Sequence, residues 1–175
     1  MKLRIALLAA ASLLAMGTGA SAGPVSTSAT ASATIVAPTT VTATRNLAFG
    51  SIAKPTTGTS TVTVASNASA TATPALTGGG NAFVPVAGQA FAATFHLVGA
   101  AAETYTVTSS TLTFTGQAGN LANVGPETPI ASIGTLGTLP GGGADDLYIG
   151  GHFDITSSTS VQAYSGALAL TITFN

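Results

Sequence analysis

Residues 164–175 read "YSGALALTITFN". From Leu168 onward every second side chain is large and apolar: Leu168, Leu170, Ile172 and Phe174, with Ala and Thr between them. A repeat of two places alternate side chains on opposite faces of a β-strand, so this stretch predicts a strand with one face on a core. The same alternation recurs upstream. In residues 91–98 Phe91, Ala93, Phe95 and Leu97 share a face, and in 147–155 the inward set is Leu147, Ile149, Gly151, Phe153 and Ile155. Further alternating segments lie at 29–36, 39–45, 59–65, 104–108 and 111–115, separated by turn-forming clusters at 78–81, 116–120 and 140–143. After residue 22 no run carries apolar residues at helical spacing, and Thr, Val and Gly are poor helix formers. About eight short strands with regular turns predict an all-β, immunoglobulin-like antiparallel β-sandwich.

The N-terminal residues have a different origin. Lys2 and Arg4 precede an apolar run over 5–16, and Ala20-Ser21-Ala22 supplies a small-x-small cleavage pattern. These three features in order predict a secretory signal peptide over residues 1–22, too short to span a membrane. The expected organisation is then a Ser/Thr/Ala-rich leader at 23–32 and one sandwich domain at 33–175. The destination is the periplasm, cell surface or extracellular space.

Without Lys2 and Arg4, only Arg45 and Lys54 oppose five carboxylates, a net charge of −3. No basic patch exists for a nucleic acid to use. Charged residues are 5% of the chain, against a usual ~25%, and the wet faces are built from Thr, Ser and Asn instead. A neutral hydroxyl surface resists self-association weakly, because net charge is what keeps molecules apart. The absence of cysteine removes disulfides, thiol catalysis and thiolate metal sites.

Three segments together resemble a secreted bacterial domain family of unknown function, number 4402. They are "RNLAFGSI" (45–52), "FHLVGAAAETYTVTSSTLTFTG" (95–116), and "LYIGGHFDI" (147–155) followed by "AYSGALALTITFN" (163–175). The match spans roughly residues 33–175. More distantly, the ending is similar to spore-coat-U and archaic chaperone–usher pilin domains. That likeness implies a core C-terminal strand beside a groove, filled by an extended segment from a chaperone or a neighbouring subunit. Leu168, Leu170, Ile172 and Phe174 would line this region. The alternating leader residues Ala29, Ala31, Ala33 and Ile35 would be the donor, unless residues 29–35 are the domain's own first strand. An unpaired edge with apolar flanks is satisfied by strand addition.

Few residues offer chemistry. His96 sits on the polar side of its strand, and His152 and Asp154 share the outward face with Tyr148. Outward strand positions of this kind keep a face wet, and a site needs convergent partners. "GGGADD" (141–146) lacks the spacing of a calcium loop and reads as an acidic hairpin turn. No nucleophile elbow, zinc-protease helix or phosphate loop is present. The expected protein is a non-enzymatic, exported surface subunit, structural or adhesive, able to self-associate into filaments. It should need no cofactor or metal and should not span the membrane. Two other classes compete with it. A small outer-membrane barrel would need aromatic girdles and strands of ~9–11 residues. A carbohydrate-binding module would need exposed aromatics, for which Tyr148 and Tyr164 are the candidates.

Overall fold

Alternating Thr and Val make residues 59–64 a strand that buries Ser60, Val62 and Val64 and turns Thr59, Thr61 and Thr63 outward. The same rule builds the rest of the chain. The computed structural model describes residues 30, 32, 33, 35 and 38–175 except 116–120, and without the side chains of 109 and 115. The predicted signal segment, Ala29 and Ala31 lie outside the described residues. The chain divides into two units, Met1–Thr34 and Ile35–Asn175; in the first, residues 30, 32 and 33 are exposed.

The second unit is an antiparallel β-sandwich of ten strands, with no helix among the described residues. In chain order they are β1 (Thr40–Arg45), β2 (Thr59–Val64), β3 (Ala75–Gly78), β4 (Ala93–Val98), β5 (Tyr105–Thr115), β6 (Ala122–Pro126), β7 (Ile130–Ala131), β8 (Ala144–Ile149), β9 (Gly151–Thr156) and β10 (Ser165–Phe174). They form three sheets, ordered β1-β4-β8-β7, β10-β5 and β3-β2-β9-β6. β5 also lies against β6.

Two apolar clusters fill the interior. In the first, Ala93, Phe95 and Leu97 of β4 and Leu147 and Ile149 of β8 meet Tyr105 and Leu139. Val107 and the inward face of β10 (Leu168, Leu170, Ile172, Phe174) cover them, partly buried. The alternating ending is therefore a core-facing strand, as its period requires. Leu97, Leu147 and Ile149 are almost wholly buried, each contributing about 1.5–3 kcal/mol of transfer free energy. In the second cluster Val62, Phe153 and Ile155 are capped by Phe49, Ile52, Leu76, Phe114 and Leu121.

Three departures from the sequence pattern have local causes. Residues 104–108 and 111–115 form one strand, because β10 pairs along the whole of β5. A bulge at Thr108 absorbs the irregularity: Thr171 faces Ser109, but Ile172 faces Val107. The predicted strand 147–155 is instead two. β8 belongs to the sheet of β4, and β9, one residue later, to the sheet of β2. The switch falls at Gly150, where a Cβ would lie 1.9 Å from the Val64 carbonyl oxygen. Finally β3, β6 and β7 are short and carry no run of large alternating residues, so periodicity does not reveal them.

Tyr105 carries a pH signature. Its side chain is buried, and the hydroxyl lacks a well-formed hydrogen bond. Burial pushes its pKa above the ordinary 10.0; the Gly137 backbone opposes this and the Asp145 charge adds to it. The folded protein therefore holds this proton more tightly than the unfolded chain. The contribution is intact below the unfolded value of ~10 and lost as pH rises through the folded one. Denaturant melts of Tyr105→Phe should lose part of the alkaline fall in stability above pH ~10 while matching the parent within about 1 kcal/mol at neutral pH. Identical alkaline curves for the two proteins would remove Tyr105 from the account.

Candidate functional site

β1 pairs only with β4, and β10 only with β5, so each is a sheet edge among the described residues. Between these two edges the sandwich is open. A groove of about 1010 Å³ runs from Ala43 and Arg45 of β1 along residues 46–54 on one wall. The other wall is residues 159–168, which include the start of β10. Its floor is core: Phe95, Leu112, Phe114, Phe153 and Ile155. This volume is at the top of the ~300–1,000 Å³ usual for small-ligand pockets, and the groove is bordered by the end of β1 and the start of β10.

The wall at 46–54 follows from "NLAFGSI". Leu47 packs on the first cluster, whereas Phe49 and Ile52 pack on the second. Gly50 at φ +73° supplies the left-handed turn between them, a conformation that a side chain disfavours. Single ladder contacts, Ala48 to Phe91 and Ala53 to Phe83, hold the segment to residues 82–91. On the opposite wall Gly166 sits against β5 where a Cβ would lie 1.9 Å from the Thr113 carbonyl oxygen. The Tyr164 hydroxyl donates to the Ser160 carbonyl at 2.9 Å, bracing the loop that leads in. The glycines of "IGGHF" and "YSG" thus serve close backbone approach and packing. Gly151 lies against Leu47, Phe49 and Leu112.

The two cations of the described residues both stand on this groove. Arg45 Nε donates to the Ala92 carbonyl at 2.9 Å, and its guanidinium lies 5.6 Å from the Phe91 ring centre. Lys54 Nζ donates across the groove to the Ser157 and Thr159 carbonyls at 2.9 and 3.1 Å. Lys54 therefore ties the 46–54 wall to the opposite one where that wall begins, at Thr159.

The residues expected to act in assembly are distributed unevenly. Leu168 lines the groove, while Leu170, Ile172 and Phe174 pack into the first cluster. Ala33 is exposed and Ile35 is 95% exposed, neither in a strand. Ala29 and Ala31 lie outside the described residues. Leu47, Phe49, Ile52 and Lys54 were not singled out as site residues. The signal was present in the quoted "RNLAFGSI", but alternation does not show that an irregular segment forms a wall.

The ionisable side chains are engaged elsewhere. His152 Nδ1 is 2.8 Å from Glu127, and Asp154 accepts from the Thr61 hydroxyl at 2.6 Å. His152 and Asp154 are thus neighbours with separate partners. His96 Nδ1 is 2.8 Å from Asp146 across the β4–β8 ladder. The turn predicted at 141–146 ends at Gly143, and both aspartates begin β8. Asp145 is buried and accepts backbone N–H groups from Ile133, Gly134 and Asp146. Its oxygens hold the 132–139 loop. No cluster of three or more metal-binding side chains occurs among the described residues, nor any helix long and apolar enough to cross a membrane.

These features define an antiparallel β-sandwich with an open, core-lined groove between two unpaired edges. The family described as "Domain of unknown function (DUF4402)" matches residues 39–174, and the chain belongs to it. No curated protein and no solved structure matches the chain.

Proposed function

We propose that this protein is an exported, non-enzymatic structural or adhesive subunit of the cell surface. On this reading it is a pilin-like, immunoglobulin-like domain that assembles by β-strand addition. The observation that carries the reading is the groove: two strand edges flank it and core aromatics form its floor. An extended segment laid there gains backbone hydrogen bonds from the edges and burial from the floor. The donor is a leader from a neighbouring subunit or a chaperone strand. The neutral Thr/Ser surface supports close packing of subunits, since little charge opposes it.

The competing classes find less support. A membrane barrel closes its sheet on itself, whereas β1 and β10 leave edges unpaired among the described residues. Sugar stacking needs an open aromatic face. Tyr148 is 9% exposed, and Tyr164 is half-buried with its hydroxyl committed to Ser160.

Native sizing and electron microscopy of the chain from residue 23 onward test the proposal. Concentration-dependent assemblies are expected. Deletion of residues 23–35 should leave folded monomers, because all ten strands lie beyond it. Monomers from both proteins at every concentration would end the reading. An unfolded truncation would instead make residues 29–35 the domain's own first strand.

A further inference from the structure

The groove is lined by both cations of the described residues and by no carboxylate. We infer that it binds a long-chain carboxylate: the acyl chain lies over the aromatic floor and the carboxylate sits on the Arg45 guanidinium. This binding stands apart from strand addition and does not depend on it.

The placement of charge gives the head of the ligand. All five carboxylates are engaged away from the groove. Glu103 accepts from the Ala100 N–H, Glu127 and Asp146 each face a histidine, Asp145 accepts three backbone N–H groups, and Asp154 accepts from the Thr61 hydroxyl. The ion pairs of the described residues are those two histidine pairs, so neither Arg45 nor Lys54 has an anionic partner among them. Lys54 already uses two of its three donors on the Ser157 and Thr159 carbonyls. Arg45 is held differently. Its Nε donates to the Ala92 carbonyl and the Phe91 ring centre lies 5.6 Å from the guanidinium carbon. Its Nη2 is shut off from water and has no hydrogen-bond partner. A buried donor left unpaired is costly, and a carboxylate is the acceptor whose two oxygens match the guanidinium fork.

The lining gives the rest of the ligand. Leu47 and Leu168 pack on the first cluster, Phe49 and Ile52 pack on the second, and all four line the groove. A chain that leaves Arg45 along this surface meets apolar side chains from one cluster to the other. The floor consists of apolar side chains that offer no hydrogen bond. A sugar or nucleotide laid there would bury hydroxyls or phosphates without partners, which is strongly disfavoured. An acyl chain brings no polar group beyond its head. The volume of about 1010 Å³ leaves room for it, and a mostly apolar lining with one placed polar group is the usual form of a small-ligand site.

Calorimetric titration of the chain from residue 23 onward, which keeps all ten strands, tests this with decanoate, dodecanoate and 1-decanol. Dodecanoate should saturate one site and bind about fifteenfold more tightly than decanoate, since each buried methylene is worth about fourfold. Decanoate should bind at least about tenfold more tightly than 1-decanol, the gain expected of charged hydrogen bonds. Arg45→Gln should remove that preference by weakening decanoate while leaving 1-decanol nearly unchanged, and Arg45→Lys should keep part of it. The comparisons on the parent need no variant to fold. Absence of saturable dodecanoate binding, or equal binding of decanoate and 1-decanol by the parent, would overturn the inference. So would an Arg45→Gln chain, folded by circular dichroism, that weakens both ligands alike. Native sizing of the same samples reads assembly separately: monomers that bind dodecanoate uphold this site and count against the assembly reading alone.

Discussion

Phe153→Ala should destabilise the domain by about 3–5 kcal/mol, the usual cost of removing a buried aromatic ring. Phe153 is 6% exposed and holds the second cluster together. Its ring centre is 4.8 Å from Phe49 and 5.5 Å from Phe114, both edge-on, and those two rings are 6.0 Å apart. Each such pair adds about 0.5–1.5 kcal/mol beyond the area it buries. The loss would be a large share of a typical ~5–15 kcal/mol stability. Urea denaturation measures it, and a loss below about 1 kcal/mol would mean that the second cluster is not a true core. The same substitution removes part of the groove floor. Assembly should therefore weaken even at temperatures where the variant remains folded.

Gly150→Ala should cost about 3 kcal/mol or more, although it adds a single methyl group. The new Cβ would lie 1.9 Å from the Val64 carbonyl oxygen and 2.7 Å from the Ala65 carbonyl carbon. Both are backbone atoms, so no rotamer change relieves the clash. Moving them would disturb the Ser66 hydroxyl, which accepts from the Gly150 N–H, and the β2–β9 ladder that begins at Gly151. For a domain of this size the loss corresponds to a fall in Tm of about 6–12 °C. Gly79→Ala is the control: nothing lies within 4 Å of its added Cβ, and it should stay within about 0.5 kcal/mol of the parent. Equal melting temperatures for the two variants would refute the account of the sheet switch at Gly150.

The all-β class and the inward residues of β2, β4, β9 and β10 were legible as alternation, because a strand's side-chain period is two whatever it packs against. The inward set Leu168, Leu170, Ile172 and Phe174 needs no partner to be read. Short edge strands lack that signal, since one or two residues do not make a period. Partner choice is likewise a long-range property. Alternation shows that 147–155 is extended, but not that Gly150 passes it from one sheet to the other. His152 and Asp154 share a strand face by spacing alone, yet Glu127 and Thr61 reach them from other strands. The groove lay furthest from view. Its walls come from an irregular segment at 46–54 and a loop at 159–164, joined by Lys54 to carbonyls more than a hundred positions away. Local pattern determines which face of each strand is apolar. Only the closed sandwich decides which edges stay unpaired, because an edge is free or covered according to where distant strands come to rest.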